Sequence, residues 1–175
     1  MHTTTPLADT LTQLAQCLQQ RGWMLATAES CTGGLVAAAC TDIPGSSAWF
    51  DRGFVTYSNA AKTQMLGVPT ALIEQYGAVS QEVVQAMAAG AIAQSAAAVS
   101  VAISGVAGPE GGTPEKPVGT VWVAWATPEH AWQSCLQLSG DRQQIRRAAV
   151  ATTLQQLVAH WHDACTPPAD AARDL

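Results

Sequence analysis

The stretch from Gln85 to Pro109 carries no charged residue, and it limits the folds open to this chain more than any other segment. It is mostly Ala, Gly and Ser, with Gln94 inside it, so it lacks the roughly 20 strongly apolar residues that a membrane span requires. Its apolar positions follow a helical period up to about residue 98 and alternate after that point. The pattern predicts a buried helix followed by a buried strand, and both need other layers of the protein to cover them.

The composition fits one domain with a large interior. The chain has 175 residues, of which 48% are hydrophobic and 12% are charged. That ratio favours a layered α/β domain, and also one that buries part of its surface against a second copy. The net charge of −5 offers no basic face for nucleic acid or anionic lipid, so we expect neither nucleic-acid nor membrane binding. We predict one domain over residues 1–165 and a frayed tail over 166–175.

Helical and alternating patterns follow each other along the chain, which is typical of a sheet between helix layers. Thr5 and Pro6 begin the first predicted helix, and Gly22 ends it. The other predicted helices cover 33–40, 59–67, 70–76, 81–97 and 141–162, with Ser58, Ser80 and Asp141 as caps. The predicted strands cover 23–29, 49–57, 99–104, 119–126 and 131–138. The predicted fold class is therefore α/β: a single three-layer αβα domain with a mixed β-sheet between the helix layers.

The cysteines and histidines give no sign of a metal or a disulfide framework. The five cysteines, at positions 17, 31, 40, 135 and 165, are an odd number, and they contain no CxxC pair. Because no signal peptide precedes them either, we expect reduced thiols in a cytoplasmic protein. His160 and His162 form an HxH pair near the end of a predicted helix, which is too few ligands for a site, so we expect no metal.

Two nucleophiles lie side by side in "ESCTGG", residues 29–34, where a predicted strand turns into a helix. A serine or cysteine at such a turn is close to unpaired backbone N–H groups, which stabilise a developing oxyanion. Gly33 and Gly34 would let a substrate approach the backbone. The simpler alternative is that Ser30 or Thr32 caps the helix, the usual role of a hydroxyl at that position.

A serine nucleophile needs a base, and the sequence offers Lys62. The four histidines lie near the termini or in a turn, and the chain has only two lysines. Lys62 falls near the start of a predicted helix, where the helix dipole and partial burial would lower its pKa, and Tyr57 is placed to relay or orient a proton. The alternative is a solvated surface lysine. Tyr57 and Lys62 are five residues apart and no GxGxxG follows the first strand, which argues against a nicotinamide-dependent oxidoreductase.

A glycine-rich loop and two arginines suggest a site for an anion. The loop over residues 105–119 matches neither a Walker A nor a Rossmann motif, so it shows only that backbone approaches a ligand or another loop. Arg142 and Arg146 share one face near the start of the last predicted helix, an arrangement that suits a phosphate. Solvated arginines, or a salt bridge to Asp141 or Glu115, are the alternatives. Taken together, the motifs indicate an acyl-transfer hydrolase for a phosphorylated small molecule.

Five segments resemble, in order, those of the C-terminal domain of the competence/damage-inducible CinA family. They are "TAESCTGGLVA", "PGSSAWFDRGFVTYSNAAKTQMLGV", "GAVSQEVVQAMAAGA", "SGVAGPEGGTPEKPVGTVWVA" and "GDRQQIRRAA". The resemblance covers the chain from about residue 7 to residue 160, and the chain is similar to the stand-alone form of that domain. It implies hydrolysis of the carboxamide of nicotinamide mononucleotide to nicotinate mononucleotide and ammonia, without metal or cofactor, by a homodimer.

The resemblance also implies roles for individual residues. Ser30 matches the nucleophile, Lys62 the general base and Tyr57 an assisting residue, while backbone from Thr32 to Gly34 would supply oxyanion donors. The wider set of implied substrate-binding residues is Cys31, Thr32, Gly33, Gly34, Ser46, Asn59, Ser104, Gly105, Gly108, Gly111, Gly112, Arg142 and Arg146. Ser104 stands where family members often have threonine, and it keeps the hydroxyl.

Two rival interpretations stay open on the sequence alone. In the first, the chain is the same amidase but Cys31 is the nucleophile, since a helix start also favours a thiolate. In the second, the chain is a non-catalytic module that binds a pyridine nucleotide and signals to a partner.

Overall fold

The computed structural model describes residues 6–161, and within them it has six helices, a 3-10 turn and five strands. The predicted tail over 166–175, together with Thr5, His162 and Cys165, lies outside the described residues. The helices are α1 (Pro6–Arg21), α2 (Leu35–Thr41), α3 (Asn59–Leu66), α4 (Thr70–Tyr76), α5 (Gln81–Ala93) and α6 (Arg142–His160), and the 3-10 turn is Ser46–Ala48. The strands are β1 (Leu25–Glu29), β2 (Phe50–Val55), β3 (Val99–Gly105), β4 (Thr120–Ala126) and β5 (Ala131–Gln137).

The five strands form one mixed sheet in the order β2-β1-β3-β4-β5. Strands β2, β1 and β3 are parallel, whereas β4 and β5 run antiparallel to their neighbours. Parallel strands end at the same edge of a sheet, so the segments that follow β1, β2 and β3 meet there. The predicted fold class, a three-layer α/β domain with a mixed sheet, is confirmed.

Each face of the sheet has its own apolar core. On one face the large residues of β3, Val99, Val101 and Ile103, pack with α1, α2 and α6. On the other face the sheet presents small residues to α3, α4 and α5, namely Ala26, Ala28, Ala102 and Ala124. The Ser100 hydroxyl donates to the Ala88 carbonyl of α5 over 2.8 Å, which requires a close approach of helix and strand. The uncharged stretch therefore is the predicted buried helix followed by a buried strand.

Helix α5 ends four residues before the predicted position, at Ala93. The Ser95 hydroxyl donates to the Ala91 carbonyl over 2.6 Å, and the Ala96 N–H donates to the carboxylate of Asp51 over 3.2 Å. These bonds replace the next helical turn, and they depend on a strand that is distant in sequence. Among the helices that the structure describes, none combines the length and apolar character that crossing a membrane requires.

The cysteines agree only in part with the expectation of reduced thiols. Cys31, Cys40 and Cys135 are free thiols, whereas Cys17 is disulfide-bonded, so the expectation is wrong for Cys17.

Candidate active site

Ser30 lies at the end of β1, on the sheet edge where the three parallel strands finish. Its N–H donates to the Ile103 carbonyl of β3 over 2.9 Å, and on the other side the Thr56 N–H donates to the Glu29 carbonyl over 2.8 Å. These bonds hold the segment between its two neighbouring strands. Ser30 is 9% exposed, so its hydroxyl is largely screened from water.

Lys62 reaches the serine from α3, on which Ser58 is the cap as predicted. The distance from Lys62 Nζ to Ser30 Oγ is 3.1 Å, and the side chain is 1% exposed, so Lys62 is not a surface residue. Nζ also lies 3.0 Å from the Thr56 carbonyl and 3.4 Å from that of Tyr57. Burial lowers the pKa of Lys62 because it penalises the charged ammonium, while the nearby Cys31 thiol opposes that shift.

The three partners of Nζ match the valence of a neutral amine. A neutral lysine has two N–H groups and one lone pair. As an ammonium, Nζ donates to all three oxygens; as a neutral amine, it donates its two N–H groups to the carbonyls of Thr56 and Tyr57, and its lone pair then faces the Ser30 O–H. The arrangement can therefore take a proton from the serine.

The carboxylate of Glu29 caps α2, so the alternative interpretation, in which Ser30 or Thr32 caps it, is wrong. Glu29 is 1% exposed, and it accepts the N–H groups of Gly34, Val36 and Ala37 over 2.9–3.0 Å. The Thr27 hydroxyl donates to it as well, over 3.2 Å. Gly34 is the N-cap residue, with a φ of 99° that favours glycine, and no side chain caps from that position. The start of α2 is thus already occupied by an internal anion.

The resemblance implies oxyanion donors in the backbone from Thr32 to Gly34, and two of those N–H groups are bound within the protein. The Gly33 N–H donates to the Ser30 carbonyl over 3.1 Å, and the Gly34 N–H donates to Glu29. Among the hydrogen bonds of residues 6–161, the N–H groups of Cys31 and Thr32 have no protein acceptor. These two groups, next to the nucleophile, are the ones free to meet an oxyanion.

The two arginines point to different partners. Arg146 donates from Nε to the Cys31 carbonyl over 3.0 Å and from Nη2 to the Thr32 carbonyl over 2.9 Å. Arg142 is exposed, and it donates to the Gly108 carbonyl over 2.8 Å and to the Tyr57 hydroxyl over 3.2 Å. The phenol of Tyr57 therefore faces Arg142, and only its backbone carbonyl contacts Lys62. Neither arginine is in a salt bridge of the described residues.

The glycine-rich loop packs mainly against its own second half. Gly108 and Gly111 have positive φ values of 77° and 88°. A Cβ on Gly108 would lie 2.6 Å from a methyl of Val118, and one on Gly112 would lie 2.8 Å from the Val118 backbone nitrogen. Gly105 belongs to β3, where a Cβ would collide with β4. The glycines are thus explained by close packing within the protein.

Three other predicted residues have structural contacts or lie apart from the dyad. The Ser104 hydroxyl is buried and donates to the Ala78 carbonyl over 2.7 Å. Ser46 begins the 3-10 turn, and its carbonyl accepts the Trp49 N–H. Asn59 is exposed and lines a different cavity, of about 440 Å³, between α3 and α4. In the described part of the chain, Ser46 and Asn59 make no hydrogen bond to Ser30 or Lys62.

Two residues of the site were missed from the sequence. Glu29 directly precedes the nucleophile, and an acidic residue before a glycine pair at a helix start is a signal for a cap. Thr56 contributes a backbone carbonyl, which no side-chain pattern reveals.

The chain is similar to known proteins both in sequence and in structure. The model of the CinA C-terminal domain matches residues 7–160. A protein of Pseudomonas putida called nicotinamide-nucleotide amidohydrolase PncC is 53% identical over 153 residues, which cover 87% of this chain and 96% of that protein. The protein of the same name in Escherichia coli (strain K12) is 55% identical over 148 residues, 83% of this chain and 88% of that one. In structure, the competence/damage inducible protein CihA from Agrobacterium tumefaciens has a TM-score of 0.86 at 42% identity, over 91% of this chain and 98% of that chain.

Proposed function

The chain belongs to the CinA C-terminal domain family, and from that premise we propose that it hydrolyses the carboxamide of nicotinamide mononucleotide to nicotinate mononucleotide and ammonia. Relatives more than half identical over most of the chain carry the name nicotinamide-nucleotide amidohydrolase. The observation that carries the proposal is the 3.1 Å contact between Lys62 Nζ and Ser30 Oγ at a buried strand end.

The first half of the reaction acylates the serine. Neutral Lys62 takes the proton of Ser30 while Oγ attacks the amide carbon, and the carbonyl oxygen becomes an oxyanion that accepts hydrogen bonds from the N–H groups of Cys31 and Thr32. The lysine ammonium then gives its proton to the amide nitrogen as the C–N bond breaks. Ammonia leaves, and Ser30 carries the nicotinoyl ester.

The second half reverses the roles of the proton carriers. Lys62, neutral again, takes a proton from water as its oxygen attacks the ester carbon. The tetrahedral intermediate collapses, the proton returns to Ser30 Oγ, and the carboxylic acid product leaves and ionises in solution. No further cofactor enters either half, since one amine serves as base and then as acid.

Arg142 is our candidate for the phosphate end of the substrate. It sits in the first turn of α6, where the carboxylate of Asp141 already accepts the Gln144 N–H, so the attraction for an anion comes from the guanidinium itself. It is exposed, and its contact with Gly108 joins it to the glycine-rich loop. We propose that residues 105–112 of this loop and Arg142 together hold the ribose phosphate, and that Tyr57, anchored by Arg142, borders the ring site.

The rival with Cys31 as nucleophile has weak support. Cys31 is 6% exposed, and burial raises the pKa of its thiol to about 11, so it is protonated at neutral pH. The non-catalytic rival leaves unexplained why a buried lysine would be held against a serine hydroxyl. We therefore favour Ser30 in an active amidase.

One assay tests the proposal: ammonia release from nicotinamide mononucleotide, nicotinamide riboside and free nicotinamide. We expect activity on the mononucleotide, and a loss of kcat on the order of 10²–10⁴-fold or more in Ser30→Ala and Lys62→Ala. Lys116→Ala is the matched control, because it removes the other lysine of the chain. Near-normal turnover by Lys62→Ala would remove the dyad from the mechanism, and binding without ammonia release by the wild type would favour a sensing module.

We also propose that the enzyme is a cytoplasmic homodimer. The free thiols of Cys31, Cys40 and Cys135 support a reducing compartment, whereas the disulfide of Cys17 counts against it, and cell fractionation decides between them. The support for a dimer is the high apolar and low charged content of the chain.

A further inference from the structure

We infer that Arg146 is a positioning residue for the oxyanion site and does not bind the substrate phosphate. It acts through the peptide bond between Cys31 and Thr32, whose N–H it aims and polarises. This inference rests on the proposed amidase function and assigns to Arg146 a role different from that of Arg142, four residues earlier on the same helix.

The direction of the Thr32 N–H follows from the planarity of the peptide bond. In a trans peptide the C=O and the N–H point to opposite sides. The Cys31 carbonyl points to Arg146 Nε over 3.0 Å, so the Thr32 N–H in the same peptide points away from Arg146. The Thr32 carbonyl is bound in the same way by Nη2 over 2.9 Å, which fixes the next peptide as well. The two hydrogen bonds from Arg146 therefore fix the side of the turn to which the N–H groups of these peptides point.

Glu29 binds backbone N–H groups that follow Thr32 in the chain, so these groups are not available to an oxyanion. Its carboxylate takes the N–H groups of Gly34, Val36 and Ala37, and the Gly33 N–H is bound to the Ser30 carbonyl. An anion formed at the substrate therefore cannot use the start of α2. The N–H groups of Thr32 and Cys31 are therefore the donors of this turn that remain for an oxyanion.

The charge of Arg146 makes the Thr32 N–H a stronger donor. A guanidinium bound to a carbonyl is a charge-assisted hydrogen bond, and it pulls electron density through the peptide away from the N–H. Gly33 lets the side chain come this close: its φ is 61°, and a Cβ would lie 3.4 Å from Nη2. Arg146 is half-buried with two donors committed to the turn, whereas Arg142 is exposed.

Matched arginine variants on two substrates test this inference. Arg146→Ala should lower kcat by about 10²-fold, the scale of losing one oxyanion donor, and equally for nicotinamide mononucleotide and for the riboside, with KM little changed. Arg146→Lys should recover part of kcat, because an ammonium can reach a carbonyl but cannot hold two as a fork. Arg142→Ala should instead raise KM, and by a larger factor for the mononucleotide than for the riboside, since only the mononucleotide carries the phosphate.

A serine-directed fluorophosphonate gives a readout that does not depend on the amide substrate. Its phosphoryl oxygen takes the place of the oxyanion, so Arg146→Ala should slow labelling of Ser30, whereas Arg147→Ala, at the next and exposed position of α6, should not. Thermal melts of both variants show that each is folded, and the lysine variant replaces the alanine one if that one is not. If Arg146→Ala raises KM for the mononucleotide alone, or if its Ser30 is labelled at the wild-type rate, the inference is wrong. A wild-type enzyme that releases no ammonia overturns the proposed function instead, and the labelling result still decides the inference.

Discussion

Lys62 shows how surroundings give one residue type two different behaviours. The chain has two lysines, and Lys116 donates to the Tyr76 carbonyl at a partly exposed position. Lys62 is instead enclosed, and burial lowers its pKa from the usual 10.5. The sequence suggested Lys62 by elimination of the histidines, but only the fold brings a residue 32 positions away to Ser30.

The pH dependence of kcat follows from that lowered pKa. The reaction needs the neutral amine, so kcat should fall as the pH drops through the pKa of Lys62 and reach a plateau above it. A profile of kcat against pH measures this midpoint, which should lie below 10.5. Lys62→Arg, which stays protonated, should be inactive at every pH, while Lys116→Arg should keep the wild-type profile. A flat profile would contradict the role of Lys62 as base.

Cys31 should be inert although it is next to the nucleophile. Its pKa of about 11 leaves almost no thiolate at neutral pH, whereas Cys135 is exposed. With iodoacetamide, peptide mass spectrometry should find Cys135 modified first and Cys31 unmodified, with ammonia release retained. Cys31→Ala should also stay active. Rapid alkylation of Cys31 in step with loss of activity would instead favour the thiol as nucleophile.

At the scale of elements, the start of α2 depends on a buried side chain that comes from the preceding strand. Oε1 of Glu29 accepts from Thr27 and Ala37, and Oε2 accepts from Gly34 and Val36. In Glu29→Gln, an NH₂ group therefore faces two donors whichever oxygen it replaces. We expect the free energy of unfolding to fall by about 1–3 kcal/mol for each donor left without an acceptor.

Urea unfolding measures this loss, with Glu74→Gln on the exposed face of α4 as the control. The control should change stability by less than about 0.5 kcal/mol. Equal midpoints for the two variants would show that the Glu29 carboxylate is not an important cap.

Helices α3 and α5 meet so closely that only glycine fits at Gly90. A Cβ there would lie 2.0 Å from the Leu66 carbonyl oxygen, so Gly90→Ala must push the helices apart. We expect it to destabilise the protein by about 1–3 kcal/mol despite the better helix propensity of alanine. Thermal unfolding measures the effect, and Ala89→Ser, one residue away and exposed, is the control. An unchanged or higher melting temperature for Gly90→Ala would show that the interface has room for the methyl group.

The elements were predictable from sequence to the extent that their signals are local. Ser58, Ser80 and Asp141 cap the helices that they were predicted to cap, because a cap bonds within its own first turn. The start of α2 was misread, since its cap comes from a strand, and the end of α5 was misread because it depends on Asp51. At the candidate site, the sequence paired Ser30 with Lys62, and the fold brings the two side chains within 3.1 Å, whereas the unbound N–H groups and the separate contacts of Arg142 and Arg146 required the peptide orientations.

At the scale of the whole molecule, the sheet brings the candidate catalytic groups together at one edge. Ser30 follows β1, Thr56 and Tyr57 follow β2, and the glycine-rich loop follows β3, and these are the three parallel strands. Strand β4 runs in the opposite direction, and β5, antiparallel to β4, ends at that edge again, so the start of α6 brings Arg142 and Arg146 there. This is the general position of sites in open α/β sheets.

The oligomeric state is a prediction at this scale. With 48% hydrophobic and 12% charged residues, the chain has little charge to keep copies apart. Size-exclusion chromatography with light scattering should give twice the mass of the 18.2 kDa chain, over a range of protein concentrations. A single species at the mass of one chain would contradict the homodimer.

The internal anion at the start of α2 also limits how this scaffold can be redesigned. Thiol enzymes use the positive end of a helix to keep sulfur ionised, and in this protein Glu29 already fills that end and adds to the raised pKa of Cys31. An engineer who exchanges Ser30 for Cys therefore gains a better leaving group but no pre-formed thiolate. Evolution toward a cysteine amidase on this backbone would first have to replace Glu29 by a neutral residue, and that change would remove the cap of α2.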